Sequence, residues 1–171
     1  RPMGRNTSGV KGISLTAGDT LAGMVVADPE ATLLTATENG FGKRTPFGPN
    51  AGDVDEAAED ESSSSFRYRT QKRGGKGLRD IKTTARNGKV IGIVRADETD
   101  ELMMMTARGK IQRVKVSDLN VIGRNTQGVN LMTLGDDDAL AAIVRVPQEE
   151  RVDDIAAEGN DAAESAGTGD A

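Results

Sequence analysis

Apolar and polar residues alternate along most of this chain in short runs that are separated by turn residues. The first part contains four such runs, at residues 10 to 16, 21 to 27, 31 to 37 and 41 to 47, with AGD, DPE and ENG between them. Successive side chains of a β-strand point to opposite faces of a sheet, so this period of two predicts strands rather than helices. The chain is therefore expected to be all-β.

The pattern returns twice along the chain. A second unit has candidate strands at 77 to 84, 89 to 96, 101 to 107 and 110 to 116, and a third has them at 128 to 134 and 139 to 146. The letters repeat as well, since GRNTSGV at residues 4 to 10 returns as GRNTQGV at 123 to 129. Residues 24 to 44 also align with residues 93 to 113 at a constant offset of 69. Internal repetition thus organises the chain.

The repeat is about 51 residues long, with one insertion. Gly9, Gly77 and Gly128 occupy the same place in the three units and are separated by 68 and 51 residues. The excess of 17 is nearly accounted for by residues 51 to 65, AGDVDEAAEDESSSS. Four-stranded units of this period are typical of propeller blades. The chain supplies about two and a half blades and a closed propeller needs at least four, so it is expected to be the C-terminal part of a longer circular array.

Charge is distributed unevenly along the 171 residues. Residues 66 to 135 carry 15 basic and 6 acidic groups, whereas residues 51 to 65 carry 6 acidic groups and no basic one, and residues 136 to 171 carry 11 acidic and 2 basic ones. The insertion is acidic and serine-rich without a large apolar residue, and residues 147 to 171 begin with a proline and hold 8 acidic residues and one basic one. Both compositions predict disorder, in the insertion and in a C-terminal tail. We therefore expect a partial propeller domain over residues 1 to 146, interrupted by the disordered insertion, and a disordered acidic tail.

The basic segment at residues 66 to 79, FRYRTQKRGGKGLR, is the strongest candidate for a binding site. It has three glycines (Gly74, Gly75, Gly77) and no acidic residue. Lysine and arginine displace counterions from a phosphate backbone, and glycines allow close approach and exposed backbone N–H groups. The alternative is a basic hairpin turn without a ligand. Its cations are Arg67, Arg69, Lys72, Arg73, Lys76 and Arg79.

Composition excludes several other functions. Without histidine or cysteine, the chain has no disulfides, no usual zinc ligands and no histidine base, and a cytoplasmic setting is the simple interpretation. No apolar run is long enough to span a bilayer. Three phenylalanines, one tyrosine and no tryptophan disfavour a protein that stacks splayed bases. GGKG at 74 to 77 also lacks the spacing of a nucleotide-binding P-loop.

The motifs together resemble the C-terminal domain of the bacterial DNA gyrase A subunit. QKRGGKG at 71 to 77 is similar to the box QRRGGKG of that family, and GRNTSGVKGI, LLTATENGFGKRT, IKTTARNGKVIG and VIGRNTQGV look like its later blades. The resemblance covers the chain apart from the insertion, and implies a β-pinwheel, a propeller-like ring of four-stranded blades. Two departures are Lys72, where the box has arginine, and the position of the motif, which belongs to a penultimate blade rather than the first.

The resemblance implies a DNA-wrapping module of a type IIA topoisomerase that supports ATP-dependent negative supercoiling. Its partners would be double-stranded DNA and the rest of the A and B subunits in an A2B2 complex, in the bacterial cytoplasm with the nucleoid. ATP and Mg²⁺ would bind elsewhere in the complex, and this chain would carry neither a cofactor nor the catalytic tyrosine core, because Tyr68 lacks the sequence context of that core. The expected DNA-binding residues are the six cations and three glycines of the basic segment, with Arg5, Lys43, Arg44, Arg113, Lys115 and Arg124.

Two alternatives remain open from the sequence. One is the equivalent domain of topoisomerase IV, whose blades are fewer and poor in the box motif. The other is a propeller-type scaffold for protein interactions, in which the basic turn binds an acidic partner and DNA has no role.

Overall fold

The computed structural model describes residues 3–48, 67–68 and 70–148, and its regular elements are strands and one short 3-10 helix. The predicted disordered insertion, and the predicted tail beyond residue 148, lie outside these residues. The 3-10 helix spans Val116–Asp118. The strands are β1 (Thr32–Thr37), β2 (Phe41–Pro46), β3 (Val90–Ala96), β4 (Glu101–Thr106), β5 (Ile111–Lys115), β6 (Val129–Asn130) and β7 (Leu140–Val146). The all-β prediction is thus confirmed for the described part of the chain.

The strands form two antiparallel sheets that draw on successive repeats. One sheet has the order β3-β1-β2-β6 and the other the order β5-β4-β7. In each sheet a hairpin of one repeat (β1–β2 or β4–β5) pairs with a strand of the following repeat (β3 or β7). Neither of these two sheets is therefore built from a single repeat.

The two hairpins confirm the offset of 69 residue by residue. Leu33 lies opposite Thr45 in the first hairpin, and Leu102 lies opposite Val114 in the second. Register shifts occur at equivalent places, between residues 36 and 37 and between residues 105 and 106. The glycines that the repeat alignment placed together, Gly9, Gly77 and Gly128, all have positive φ, at 71°, 77° and 76°.

Three predicted strands are not formed, and the pairing of the sheets gives the reason. Residues 10 to 16, 21 to 27 and 77 to 84 contain no strand. The equivalents of 21 to 27 are β3 and β7, which each pair with the hairpin of the preceding repeat. The described residues contain no hairpin that precedes residues 21 to 27 by one repeat. Strand β6, the equivalent of residues 10 to 16 and 77 to 84, pairs with β2, which lies two repeats earlier. The described residues contain no strand two repeats before either of those segments. A strand without a partner forms no ladder hydrogen bonds.

Residues 21 to 27 nevertheless occupy the place of a strand. A Cβ built on Gly23 would lie 3.0 Å from Cγ1 of Ile93, and one on Gly92 would lie 3.3 Å from Cγ1 of Ile143. The segment thus packs against β3 as β3 packs against β7. Lacking a sheet of its own, it leaves Leu21, Met24 and Val26 largely exposed.

The core lies between the two sheets. It contains Leu34, Leu102, Met104, Met132 and Leu140, all of which are buried. Of the three consecutive methionines at residues 103 to 105, only the central one is fully buried, and Met105 faces solvent. This is the alternation expected of a strand with one buried face. No helix among the described residues has the length and apolarity that a membrane span requires.

Candidate nucleic-acid interface

The glycine-rich turn at residues 72 to 79, which we call the basic turn, is held against a segment of the first repeat. Gly74 N–H donates to the Gly12 carbonyl at 2.8 Å, and Ser14 N–H donates to the Gly75 carbonyl at 2.8 Å. The Ser14 hydroxyl also donates to the Gly74 carbonyl at 2.6 Å. Gly74 and Gly77 have φ of 76° and 77°, in the left-handed region that favours glycine. The turn is therefore docked on residues 12 to 14 by its backbone.

One backbone donor that was expected to face phosphate is occupied, because the Gly74 N–H is bound to Gly12. The N–H groups of Gly75, Lys76 and Gly77 donate to no residue that the structure describes. Gly75 and Gly77 are exposed. These three amides remain candidates for hydrogen bonds to a ligand.

The cations around the turn face solvent. We call them the basic surface, which consists of Lys11, Lys72, Arg73, Lys76, Arg79 and Lys82, all exposed. None of them forms an ion pair with a described residue. Their charges are thus available to a polyanion, which is what a phosphate backbone requires.

The third repeat borders the other end of this surface. Lys82 N–H donates to the Thr126 carbonyl at 2.8 Å, and Asn125 N–H donates to the Asp80 carbonyl at 2.6 Å. Arg124, which was predicted to bind DNA, donates from Nη1 to the Arg79 carbonyl at 3.3 Å. Residues 74 to 82 therefore contact residues 12 to 14 of the first repeat and residues 124 to 126 of the third.

Two predicted DNA-binding residues are buried, and this part of the prediction is wrong. Lys43 and Arg44 are 1% and 4% exposed. Lys43 Nζ lies 2.8 Å from the Asp80 carboxylate, and Arg44 donates to the Leu119 carbonyl and to Glu98. These neighbouring side chains of β2 point to opposite faces of the sheet, and both faces are covered, since Lys43 also donates to the Gly123 carbonyl.

The remaining predicted residues are on the surface or outside the described part. Arg5 and Arg67 are exposed, and Arg69 is not described. Arg113 and Lys115 are exposed on β5, in the other sheet, where Arg113 forms an ion pair with Glu101. The structure thus separates Arg113 and Lys115, by sheet, from the basic turn. Their contact with DNA stays a prediction.

Asp80 was not among the predicted site residues, and it is at the centre of a buried polar cluster. Its Oδ1 accepts from Lys43 Nζ and from the Tyr68 hydroxyl, and its Oδ2 accepts from the Thr35 hydroxyl at 2.7 Å. Burial lowers the pKa of Lys43, and the charge of Asp80 opposes this shift. The sequence feature that could have pointed to Asp80 is that it is the only acidic residue between positions 66 and 96.

Tyr68 packs inside the protein rather than serving chemistry. Its ring lies 6.0 Å from that of Phe47, measured between centroids, and its hydroxyl donates to Asp80. Burial raises the pKa of Tyr68 well above its ordinary value of 10.0, and the negative charge of Asp80 adds to the shift. Within the described ranges, no group of three His, Cys, Asp or Glu residues could hold a metal ion.

We expect the raised pKa of Tyr68 to make the fold sensitive to alkali. The folded state keeps the tyrosine proton to higher pH than the unfolded state does, so its contribution to stability is present below pH 10 and is lost as the pH rises above that value. Because the pKa of Lys43 is lowered in the folded state, this residue makes stability rise with pH, but only up to its ordinary pKa of 10.5.

Absorbance of the tyrosinate measures this directly, because Tyr68 is the only tyrosine and tryptophan is absent. The tyrosine should titrate together with loss of the β signal in circular dichroism, and Tyr68→Phe should lessen the dependence of stability on pH above 10.5. Ionisation of Tyr68 near its ordinary pKa of 10.0 in a chain that stays folded would contradict the expected shift.

Comparison with known proteins agrees with this geometry. The family model of the DNA gyrase C-terminal domain, a β-propeller, matches residues 1–28, 31–48, 67–97 and 100–147. The DNA gyrase A subunit of Escherichia coli strain K12 is 41% identical over 167 residues, which cover 94% of this chain, and that of Pseudomonas aeruginosa strain PAO1 is 37% identical over 168 residues, which cover 98%. This chain spans 17% and 16% of the length of these two relatives.

Solved structures show the same fold. The structure of a DNA gyrase A C-terminal domain matches with a TM-score of 0.66 and 25% identity, over 85% of this chain and 44% of the other. The C-terminal domain of a DNA topoisomerase IV matches with a TM-score of 0.63 and 19% identity, over 90% of this chain and 43% of the other. The second likeness concerns the fold alone. The propeller-like fold predicted from the repeats is confirmed.

Proposed function

Because this chain belongs to the family of DNA gyrase C-terminal domains, which are β-propellers, we propose that it binds duplex DNA on its basic surface and bends the duplex around itself. The observation that supports this most directly is that the six cations of the basic surface are exposed and form no ion pair with a described residue. Asp80, the one acidic residue between positions 66 and 96, is itself paired with Lys43. The positive field of the surface is therefore not cancelled locally.

The binding would follow the phosphate backbone rather than the base sequence. Lysine, arginine and exposed glycine amides contact phosphates, which carry no sequence information. Bending a duplex costs several kcal/mol for roughly a helical turn or two, and additional phosphate contacts offset this cost. A protein that uses only such contacts binds unrelated duplexes about equally well.

In the whole protein, this module would present a bent DNA segment to a cleavage core. We place it in the cytoplasm of a bacterium, as part of the A subunit of an A2B2 complex that introduces negative supercoils using ATP and Mg²⁺ bound elsewhere. The curated relatives favour gyrase over topoisomerase IV, since those at 37% and 41% identity are DNA gyrase A subunits.

A pair of double variants tests the proposed surface. Replacing both Arg73 and Lys76 with alanine should weaken binding to duplex DNA about tenfold at moderate salt and should lessen the slope of log affinity against log salt by about two. The measurement is a titration of labelled, unrelated duplexes at several salt concentrations.

The matched control is Arg108→Ala with Lys110→Ala, which removes the same charge from the turn between β4 and β5. There Lys110 donates to the Thr133 carbonyl, and Arg108 N–H is bound to Asp138, beside two further aspartates at 136 and 137. This pair should change affinity by less than about threefold. Equal losses in the two variants would show that net charge alone matters, and a salt-independent or sequence-specific affinity would contradict the proposed function.

A further inference from the structure

The two ends of the basic turn are joined by one hydrogen bond. Tyr68 precedes the turn and Asp80 follows it, and the tyrosine hydroxyl donates to the Asp80 carboxylate. The bond closes a loop that contains Lys72, Arg73 and Lys76. The other contacts of the turn, to residues 12 to 14, hold its tip rather than its ends.

The same carboxylate attaches the closed loop to the sheet. Lys43 Nζ reaches Asp80 at 2.8 Å from β2, and the Thr35 hydroxyl reaches it at 2.7 Å from β1. The Lys43 side chain is completely buried and that of Asp80 is 23% exposed, so water competes weakly for these bonds. Lys43 also donates to the Thr45 hydroxyl and to the Gly123 carbonyl, which extends the cluster to the third repeat.

We propose that Asp80 is a positioning residue for DNA, and that its bonds to Tyr68, Thr35 and Lys43 fix the basic turn in the geometry that binds phosphates. This inference rests on the proposed function. The role is to hold the turn in one conformation rather than to attract DNA, because Asp80 is an anion and would by itself repel a polyanion. A turn held in one geometry loses less conformational entropy on binding than a mobile one does.

Charge and position make opposite predictions for Asp80→Asn. The variant gains one positive charge, and electrostatics alone would tighten DNA binding. If Asp80 positions the turn, the amide leaves Lys43 without a counterion and loosens the loop, and affinity should fall about threefold to tenfold with a shallower salt slope. Affinity equal to or tighter than that of the unchanged chain would overturn the proposal.

Tyr68→Phe keeps the net charge and the Lys43–Asp80 pair, and it decides the question if Asp80→Asn does not fold. Loss of this hydrogen bond should open the loop about tenfold more often, which corresponds to about 1.4 kcal/mol. Trypsin reports this opening, since it cleaves after the lysines and arginines of the turn. We expect faster cleavage within residues 72 to 79 and weaker DNA binding, at a temperature where circular dichroism shows the rest of the chain folded.

Unchanged cleavage and unchanged affinity in a folded Tyr68→Phe variant would overturn the inference. The double variant of Arg73 and Lys76 separates this failure from that of the proposed function. If the double variant weakens binding and the Tyr68 variant does not, only the positioning role is wrong. If the double variant does not weaken binding either, the basic surface is not the DNA site and both proposals fail.

Discussion

Replacing Gly128 with alanine is expected to destabilise the chain by about 3 to 5 kcal/mol, because two independent costs add. Gly128 has φ of 76°, where a side chain strains the backbone. A Cβ at this position would also lie 2.6 Å from the Gly42 carbonyl oxygen, which belongs to the backbone of β2. The third repeat would have to move away from the first sheet. Urea denaturation followed by circular dichroism measures the loss.

The repeat supplies the control for this prediction. Gly9 occupies the same position in GRNTSGV, has φ of 71°, and has nothing within 4 Å of a built Cβ. Gly9→Ala therefore isolates the cost of the backbone conformation, about 1 kcal/mol. If the two variants lose the same stability, the close packing of Gly128 on β2 contributes nothing.

Replacing Asp100 with alanine should cost about 2 to 4 kcal/mol, since it removes the buried partner of an arginine. Asp100 is 2% exposed and accepts from Arg145 Nε at 2.6 Å and from the Asp97 N–H at 2.7 Å. Arg145 lies on β7, so this carboxylate joins the last described strand to the turn before β4. The free energy of unfolding from denaturant titration is the appropriate measurement.

The neighbouring residue gives a matched comparison. Glu101 forms an ion pair with Arg113, whose side chain is 57% exposed. Exposed pairs contribute little, so Glu101→Ala should cost less than about 1 kcal/mol. A loss as large as that of the Asp100 variant would mean that burial does not determine the strength of these two pairs.

The hairpins could be predicted from sequence because their partners are local. Alternation with a glycine turn specifies β1–β2 and β4–β5, and the repeated letters supply the offset that their registers confirm. The outer strands could not be predicted in this way. Whether 21 to 27 or 89 to 96 becomes a strand depends on a hairpin in another repeat, and the two segments look alike in sequence.

The candidate site was predictable where it is exposed and unpredictable where it is buried. The clustering of lysines, arginines and glycines in residues 72 to 79 is visible in the sequence itself. Lys43 and Arg44 are also basic but are buried, because Asp80 and Glu98 reach them from distant parts of the chain. A contact between residues far apart in sequence leaves no local pattern.

The exchange of strands between repeats also affects how the chain folds during synthesis. Thr32 of β1 is hydrogen-bonded to Ala96 of β3 across 64 residues, and β2 pairs with β6 only when residue 130 has been made. The outer edges of the β1–β2 hairpin therefore stay unpaired until β3 and β6 have been synthesised. Pairing strands that are so far apart in sequence also slows folding. Open edges are sites of mispairing between chains. A pause in translation before residue 96 would therefore leave a nascent chain that is prone to aggregate. The first repeat cannot complete its sheet when it emerges alone, because two of the four strands belong to later repeats.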